Sequence, residues 1–436
     1  MSKDRDELYS RHEKREALRK KQQQEQRKLM FGLIAAGVIL VSVVVGIIAI
    51  SRDAGKNPQA PADAQAVQAT ETTAAPTETT EETKAKKDPL TVIHIKAAGD
   101  LNITTSVVDS GLAAVGYDYT RAFMDVASVL ADADLTVMNL EGNICGEPYG
   151  SGTTSGPKEI LDGLRGAGVD LVQTANSCSI NNGLIGMTST LQAVRSAGLE
   201  SLGAYSTEAE WKRSGGYTIV EVQGIRIAFV AFTKGIGGMG MPAGNENLVN
   251  LLYTDYSSTY LSIDKDRINK TLDRVNAERP DLVIAMLHWG SEYNDVISDT
   301  QKSIVTLLKK KGVDVILGTH PHLVQQVEYD PLAGTLVAYS LGDFFGDAAR
   351  GGTSYSIILD LEITKDADSG ITKVTGWDYT PIYTLHKEDC DGYQRVVRIE
   401  EAIFAYDNNF VDRVTAACYE DMKYSLQRIT DRLAGK

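Results

Sequence analysis

Three of the six histidines in this 436-residue chain, His288, His320 and His322, stand at the ends of apolar runs that read as strands. Acidic and amide residues hold equivalent places: Asp100 follows IKAAG, Glu141 follows TVMNL, Asn176 follows LVQTA and Asp343 follows AYSLG. Imidazole and carboxylate together make a donor set for zinc, manganese or iron rather than calcium. One or two such ions could bind a phosphate or activate a water. The densest local signal is GTHPH. Read as extended backbone, it sends His320 and His322 to one side, and Pro321 forbids a helix there. Burying two imidazoles side by side without a shared partner is costly, so a shared cation is expected.

Blander readings stand beside these. His94, inside an apolar run, and His386 read as structural residues. Asp100 could simply cap the segment after it, and Glu141 could belong to a surface loop. Trp289 and Tyr293, flanking His288, read equally as packing or as substrate contacts.

The elements that must position these residues alternate. After Pro89, β-branched runs such as TVIHIKAAGD, LTVMNLEGN, VDLVQTANS, DLVIAMLHWG and VDVILGTHPH are separated by amphipathic helical stretches, which implies βαβ units and largely parallel strands. The carboxyl ends of such strands share an edge where ligands bind, so widely separated residues are expected to converge. Tyr217 to Thr233 reads as two antiparallel strands around a Gln223–Gly224 turn. The passage GIGGMGMPAGNENL opens a long loop expected to border the site. YSIILDLEIT and ITKVTGWDYTPIY suggest a second sheet packed on the first, and the last ~30 residues read as amphipathic helix. The expected class is α/β, with two mixed sheets flanked by helices.

Composition narrows the partners. A formal net charge of −14 argues against nucleic acid, whose phosphates call for a basic surface. It would also repel acidic polymers unless a local basic patch or a bound cation intervenes. Phe31 to Ile50 carries no charge and is long enough to cross the ~30 Å hydrocarbon core of a bilayer. Residues 1–30 before it are rich in Lys and Arg, which places the N-terminus in the cytoplasm and the bulk of the chain outside. A cleaved signal peptide is the rival reading of that segment. Residues 51–88, rich in Ala, Thr, Glu and Pro, read as a flexible tether. Residues 89–436 then form one globular domain.

The motifs AAGDL at Asp100, MNLEG at Glu141, TANS at Asn176, LHWGSEY from Leu287, GTHPHLVQ from Gly318 and YSLGDF from Tyr339 resemble, in order and spacing, the CapA family of bacterial poly-γ-glutamate capsule synthesis proteins. The resemblance covers about Val92 to Phe345. It implies a metallophosphoesterase-like fold, a single-helix membrane anchor and one or two divalent ions, manganese, zinc or iron, held by Asp100, Glu141, Asn176, His288, His320 and His322. Ser177, Glu292, Tyr293 and Asp343 would contact substrate or orient ligands. The implied partners are an anionic polymer or phosphorylated substrate and other membrane proteins of capsule synthesis or export. Three departures stand out. The family's Asn-Asn-His-x-x-Asp stretch reads here as Asn176, Ser177, Cys178 and then Asn181; its Met-Leu-Gly reads as Asn102, Ile103, Thr104; and its late Asn is Asp343. Cys178 replaces the catalytic-type imidazole; it could serve as a thiolate ligand or a weak acid–base catalytic group, but a neutral thiol is a poor replacement. Alternatives remain: a metal-dependent hydrolase of phosphoesters or of envelope amide bonds, or a scaffold without turnover.

A domain outside the cytoplasm can form disulfides. Cys145 and Cys178, each after a strand end, are expected to pair, leaving Cys390 with Cys418, although four cysteines allow three connectivities.

Overall fold

A computed structural model describes residues 90–347, 350–390, 392–410 and 414–435. The basic tail, the apolar span and the tether lie outside the described residues. Among the described residues no helix is long and apolar enough to cross a membrane.

Two sheets form. The first is eight-stranded, ordered β14-β13-β12-β1-β2-β3-β4, with β11 also pairing β1. Its strands are β1 (Leu90–Asn102), β2 (Leu135–Glu141), β3 (Leu171–Gln173), β4 (Glu200–Leu202), β11 (Asp343–Phe345), β12 (Tyr355–Asp366), β13 (Thr372–Leu385) and β14 (Arg395–Arg398). The second is six-stranded, ordered β5-β6-β7-β8-β10-β9. It comprises β5 (Tyr217–Val222), β6 (Ile225–Thr233), β7 (Leu282–His288), β8 (Val315–Thr319), β9 (Val327–Asp330) and β10 (Thr335–Ala338). The expected hairpin is β5–β6. Its turn residues Gln223 and Gly224 both have positive φ (48° and 80°), which matches the right-handed twist of the strands they join.

Period-two side-chain alternation sorts the apolar residues into layers. Along β7, Leu282, Ile284 and Met286 join the core between the sheets, whereas Val283, Ala285 and Leu287 pack under helices Lys265–Ala277 and Asp299–Lys310. Along β2, Leu135 and Val137 face the second sheet, and Met138 and Leu140 face helices Thr120–Leu130 and Glu159–Ala167. The layers are thus helix, sheet, sheet, helix.

A repeated aspartate device sets the parallel register. Asp134, Asp170, Asp281 and Asp314 each precede a parallel strand, and each holds both backbone groups of one residue on the adjoining strand. Their N–H groups donate to the carbonyls of His94, Thr136, Arg226 and Val283 at 2.7–2.9 Å. Their carboxylates accept from the N–H groups of the same four residues at 2.8, 2.9, 2.7 and 2.9 Å. A one-residue slip would break both bonds and turn the buried face outward.

Two expectations are corrected here. The late strands β12 and β13 do not build the second sheet. β12 pairs antiparallel with β1 from Leu90↔Asp366 to Ala97↔Leu359, extending the first sheet, and the second sheet comes from the middle of the chain. Neither expected disulfide is formed: the four cysteines are thiols. The Cys145 sulfur lies 3.3 Å from the Ser155 hydroxyl, and the Cys390 sulfur donates to the carbonyls of His386 (3.0 Å) and Tyr393 (3.3 Å). Local hydrogen bonds hold these sulfurs where bridges were anticipated.

Candidate metal centre

The inter-sheet faces change character at their carboxyl edges. On β2 the face of Leu135 and Val137 continues as Asn139 and Glu141, 0% and 7% exposed. On β7 the face of Leu282, Ile284 and Met286 continues as His288, 0% exposed. Period-two geometry therefore carries one apolar layer into a buried polar cluster fed by both sheets.

Glycine lets the backbones close in. A Cβ on Gly99 would lie 1.7 Å from the Gly342 carbonyl oxygen, and one on Gly318 would lie 2.0 Å from that of Tyr339. Across these contacts Asp100 N–H donates to Gly342 O and Leu341 N–H to Gly318 O, both at 3.0 Å. Asp100 and Asp343 become register partners of β1 and β11.

The ligand-type atoms of three overlapping triads, Asp100/Glu141/His288, Glu141/His320/His322 and Asp100/His322/Asp343, each lie within 4.8 Å of one another. His288 sits between two acids. Its Nδ1 is 3.8 Å from Asp100 Oδ1 and its Nε2 is 3.4 Å from Glu141 Oε1. The rings of His288 and His320 have centroids 4.5 Å apart, and those of His320 and His322 are 6.0 Å apart. His322 Nδ1 meets Asp343 Oδ1 at 2.8 Å.

Burial and charge split the protonation states. Burial, reinforced by Glu141, raises Asp100 to about 6. Burial also opposes ionisation of Glu141, but the nearby imidazoles, His288 foremost, outweigh it and hold that carboxyl well below its ordinary range. Burial alone would push His322 down; the Asp343 carboxylate, with Glu141 and Asp100, lifts it instead to about 11. His320 lies well below its ordinary value, through burial and then through His288.

Two buried atoms of this cluster, Glu141 Oε2 and His320 Nδ1, have no hydrogen-bond partner. Leaving such groups unpaired costs about 1–3 kcal/mol each. Both belong to the Glu141/His320/His322 triad, and a divalent cation is the kind of partner that carboxylate and neutral imidazole share. The residues present fit the ion.

The cluster brings together Asp100, Glu141, His288, His320, His322 and Asp343. The blander readings of the first two do not hold. Thr104, not Asp100, caps helix Thr105–Ser110, and Glu141 is buried. Nor is GTHPH extended: His320 and His322 have φ of 92° and 58°, so a tight left-handed turn, unfavourable for residues bearing a Cβ, aims both rings inward. Asn176, expected as a ligand, stands outside the three triads. Its amide donates to Asn139 Oδ1 (3.1 Å) and Leu140 O (2.7 Å), and its Oδ1 accepts from Cys178 N–H (3.1 Å), so it braces the strand ends. The Ser177 hydroxyl donates to Glu141 Oε1 and lies 3.4 Å from His288 Nε2. Cys178 is partly buried, and burial, with Glu141 nearby, pushes its thiol far above the ordinary value, leaving it neutral.

Glu292 is exposed and lines a cavity of about 390 Å³ with Ser177, Lys234, Gly237, Tyr260 and His320, so the glycine-rich loop does border the site. Tyr293 stacks on His322 with centroids 5.2 Å apart. Trp289 is wholly buried, its Nε1 donating to Tyr339 O at 2.9 Å, a packing residue. His94 pairs with Asp360 at 3.0 Å.

Several partners escaped the sequence reading. The Asn139 amide donates to Asp100 Oδ1 at 2.5 Å and approaches His288 Nδ1 at 3.5 Å. The Thr319 hydroxyl is 3.1 Å from the same Nδ1. Asn139 carried a usable signal, standing two residues before Glu141 on one strand. Lys234, which directly follows β6, donates to Gly290 O at 2.7 Å.

The bacterial capsule synthesis protein PGA_cap family matches residues 94–348, which include every residue of the cluster. The chain belongs to that family. PGA biosynthesis protein CapA of Bacillus subtilis (strain 168) is 27% identical over 221 residues, 51% of this chain and 54% of that protein. Capsule biosynthesis protein CapA of Bacillus anthracis is 25% identical over 212 residues, 48% of each. The chain spans about half the length of these curated relatives. Solved structures similar to this fold include the calcineurin-like phosphoesterase YfkN from Bacillus subtilis, with TM-score 0.40, 17% identity, and coverage of 67% of this chain and 91% of that one. A phosphatase from Mycoplasma pneumoniae gives TM-score 0.40, 13% identity, and 67% and 94% coverage.

Proposed function

We propose that Asp100, Glu141, His288, His320 and His322 hold one or two divalent cations of the manganese, zinc or iron kind. The domain would use them to engage an anionic group during synthesis or export of an anionic surface polymer, poly-γ-glutamate. The observation that carries this reading is the pair of orphaned buried atoms, Glu141 Oε2 and His320 Nδ1, within one imidazole and carboxylate triad. Family membership and the names of the curated relatives support the capsule context. The apolar span Phe31 to Ile50 supports an anchored protein with a cytoplasmic N-terminus and this domain outside.

A bound cation would supply positive charge that offsets the acidic chain and polarises an approaching carboxylate or phosphate oxygen. The remaining work belongs to side chains. Asp343 holds His322 by its Nδ1, and Asn139 and Thr319 hold the His288 ring, as residues behind metal ligands do. Ser177 orients Glu141. Elemental analysis of the purified protein tests the reading: bound transition metal that His320→Ala removes is expected, and a metal-free protein that no divalent ion stabilises would reject it.

A second reading is a hydrolase of phosphoesters or of envelope amide bonds. The cavity beside His320, with Ser177 and Lys234 in its wall, favours it as space for a substrate. Turnover abolished by chelation and by His320→Ala would select this reading, and no turnover with any divalent ion would select metal-assisted binding.

A further inference from the structure

The second cavity, of about 380 Å³, lies between the C-terminal helix Ala416–Leu433 and the turn leading into β12. Arg350, Arg428 and Arg432 line it, a concentration of guanidinium groups unexpected in a chain of net charge −14. Asp421, Arg428 and Arg432 recur at helical spacing, so one face of the helix presents them together. Arg432 is only 9% exposed, and its Nε and Nη1 are buried without a hydrogen-bond partner. A buried cation with orphaned donors is costly and points to a ligand that supplies the acceptors. The cavity leaves room for one. Arg432 Nη2 reaches Asp295 Oδ2 only at 3.5 Å, and Arg428 Nη2 reaches the same oxygen at 3.9 Å.

This cleft is connected to the metal centre. The Arg350 guanidinium lies over the Tyr293 ring, 4.2 Å from its centroid, and Tyr293 stacks in turn on His322. Two successive face contacts therefore link the arginines to the candidate ligands.

We propose that the cleft is a carboxylate subsite of the same polymer-handling site: Arg428 and Arg432 take one side-chain carboxylate of a polyglutamate chain, while Arg350 and Tyr293 guide a neighbouring unit toward the cations. This rests on the function proposed above. The guanidinium fork matches carboxylate and phosphate alike, and the function proposed above selects the carboxylate. Arg350, Arg428 and Arg432 outnumber the one carboxylate in the cavity wall, Asp421, which already accepts from the Tyr383 hydroxyl at 2.7 Å.

The test is fluorescence anisotropy of a labelled poly-γ-glutamate oligomer with the full-length protein, alongside a polyphosphate of matched charge and elemental analysis of each sample. Arg428→Gln, at a side chain 32% exposed, should fold normally and weaken oligomer binding at least tenfold without changing metal content. Arg432→Met should weaken it further, and Arg350→Gln several-fold. Oligomer affinity unchanged within twofold in Arg428→Gln, no binding by the wild type, or tighter binding of polyphosphate would each overturn the assignment. A metal-free wild type that binds the oligomer through Arg428 would instead support the subsite while rejecting the metal centre.

Discussion

Asp100 Oδ2 accepts a hydrogen bond of 2.9 Å from the backbone N–H of His320, 220 positions away. It joins the end of β1 in one sheet to the turn after β8 in the other, and the same carboxylate belongs to two of the three candidate ligand triads. One side chain thus fastens the sheets and offers charge to an ion. Separate substitutions distinguish these roles. Asp100→Ala should lower both stability, by about 2 kcal/mol through the orphaned His320 N–H, and metal content. Asp100→Asn keeps the acceptor for His320 N–H but turns an amide toward Asn139, so denaturant unfolding should show a smaller loss than Asp100→Ala while elemental analysis shows the same loss of metal. Full metal content in Asp100→Asn would remove Asp100 from the donor set.

Ion binding should also appear as heat stability. An ion at a hundred times its dissociation constant adds about 2.7 kcal/mol to the folded state. Manganese, zinc or iron should therefore raise the unfolding temperature and a chelator should reverse the rise. Glu141→Gln and His320→Ala, each deleting a ligand atom, should abolish the response. A response that survives in both would place the ion elsewhere.

Cys178 is expected to be a bystander. Its sulfur belongs to none of the three ligand triads, and burial with Glu141 nearby holds the thiol neutral in the ion-free site. Cys178→Ser should leave metal content and any turnover within about twofold of wild type, since a neutral sulfur adds little to such sites. Loss of metal would restore Cys178 as a ligand.

The register-setting aspartates do not all carry the same cost. Burial raises Asp314 to about 6 from 3.8, although its carboxylate still accepts from Val283 N–H. The folded state therefore binds this proton more tightly than the unfolded chain, so its stabilising effect is complete below pH 3.8 and disappears as pH rises to about 6. Asp314→Asn keeps an acceptor without a charge. It should be more stable than wild type by about 1–2 kcal/mol at pH 8, with no advantage at pH 4. Urea unfolding at the two pH values decides; an equal effect at both would mean that the carboxylate is not the titrating group.

Gly318 should tolerate no side chain. An added Cβ would meet backbone at 2.0 Å and the Trp289 Nε1 at 2.6 Å, so β8 and β10 would have to separate. Gly318→Ala is expected to cost about 3 kcal/mol or more and to reduce metal content, because His320 is set two residues further on. Wild-type stability in that variant would contradict the close approach.

Some of this architecture was written locally. Short apolar strands ending in Asp100, Glu141, His288 and His320 identify themselves by period-two patterning and by an abrupt change to polar residues. The Gln223–Gly224 turn declares its hairpin because few residues accept positive φ. Pairing of β12 with β1 left no such mark, since Leu90 meets Asp366 through backbone groups that every residue possesses. Asn139 shares a strand face with Glu141, but only the fold sets Asp100 and His288 against it. Nor did the Asn176 motif show that its amide N–H2 would donate to Asn139 and Leu140.

Which residues have metal-binding chemistry, and that strand ends deliver them, was legible along the chain, because residue type and alternation are properties of neighbours. Folding alone makes the rim common to two sheets, turns His320 and His322 inward through left-handed backbone, sets Asp343 against His322 and buries Arg432 with unmet donors. Those facts depend on contacts between segments from 21 to 220 positions apart, where burial and charge act through space and local periodicity is silent.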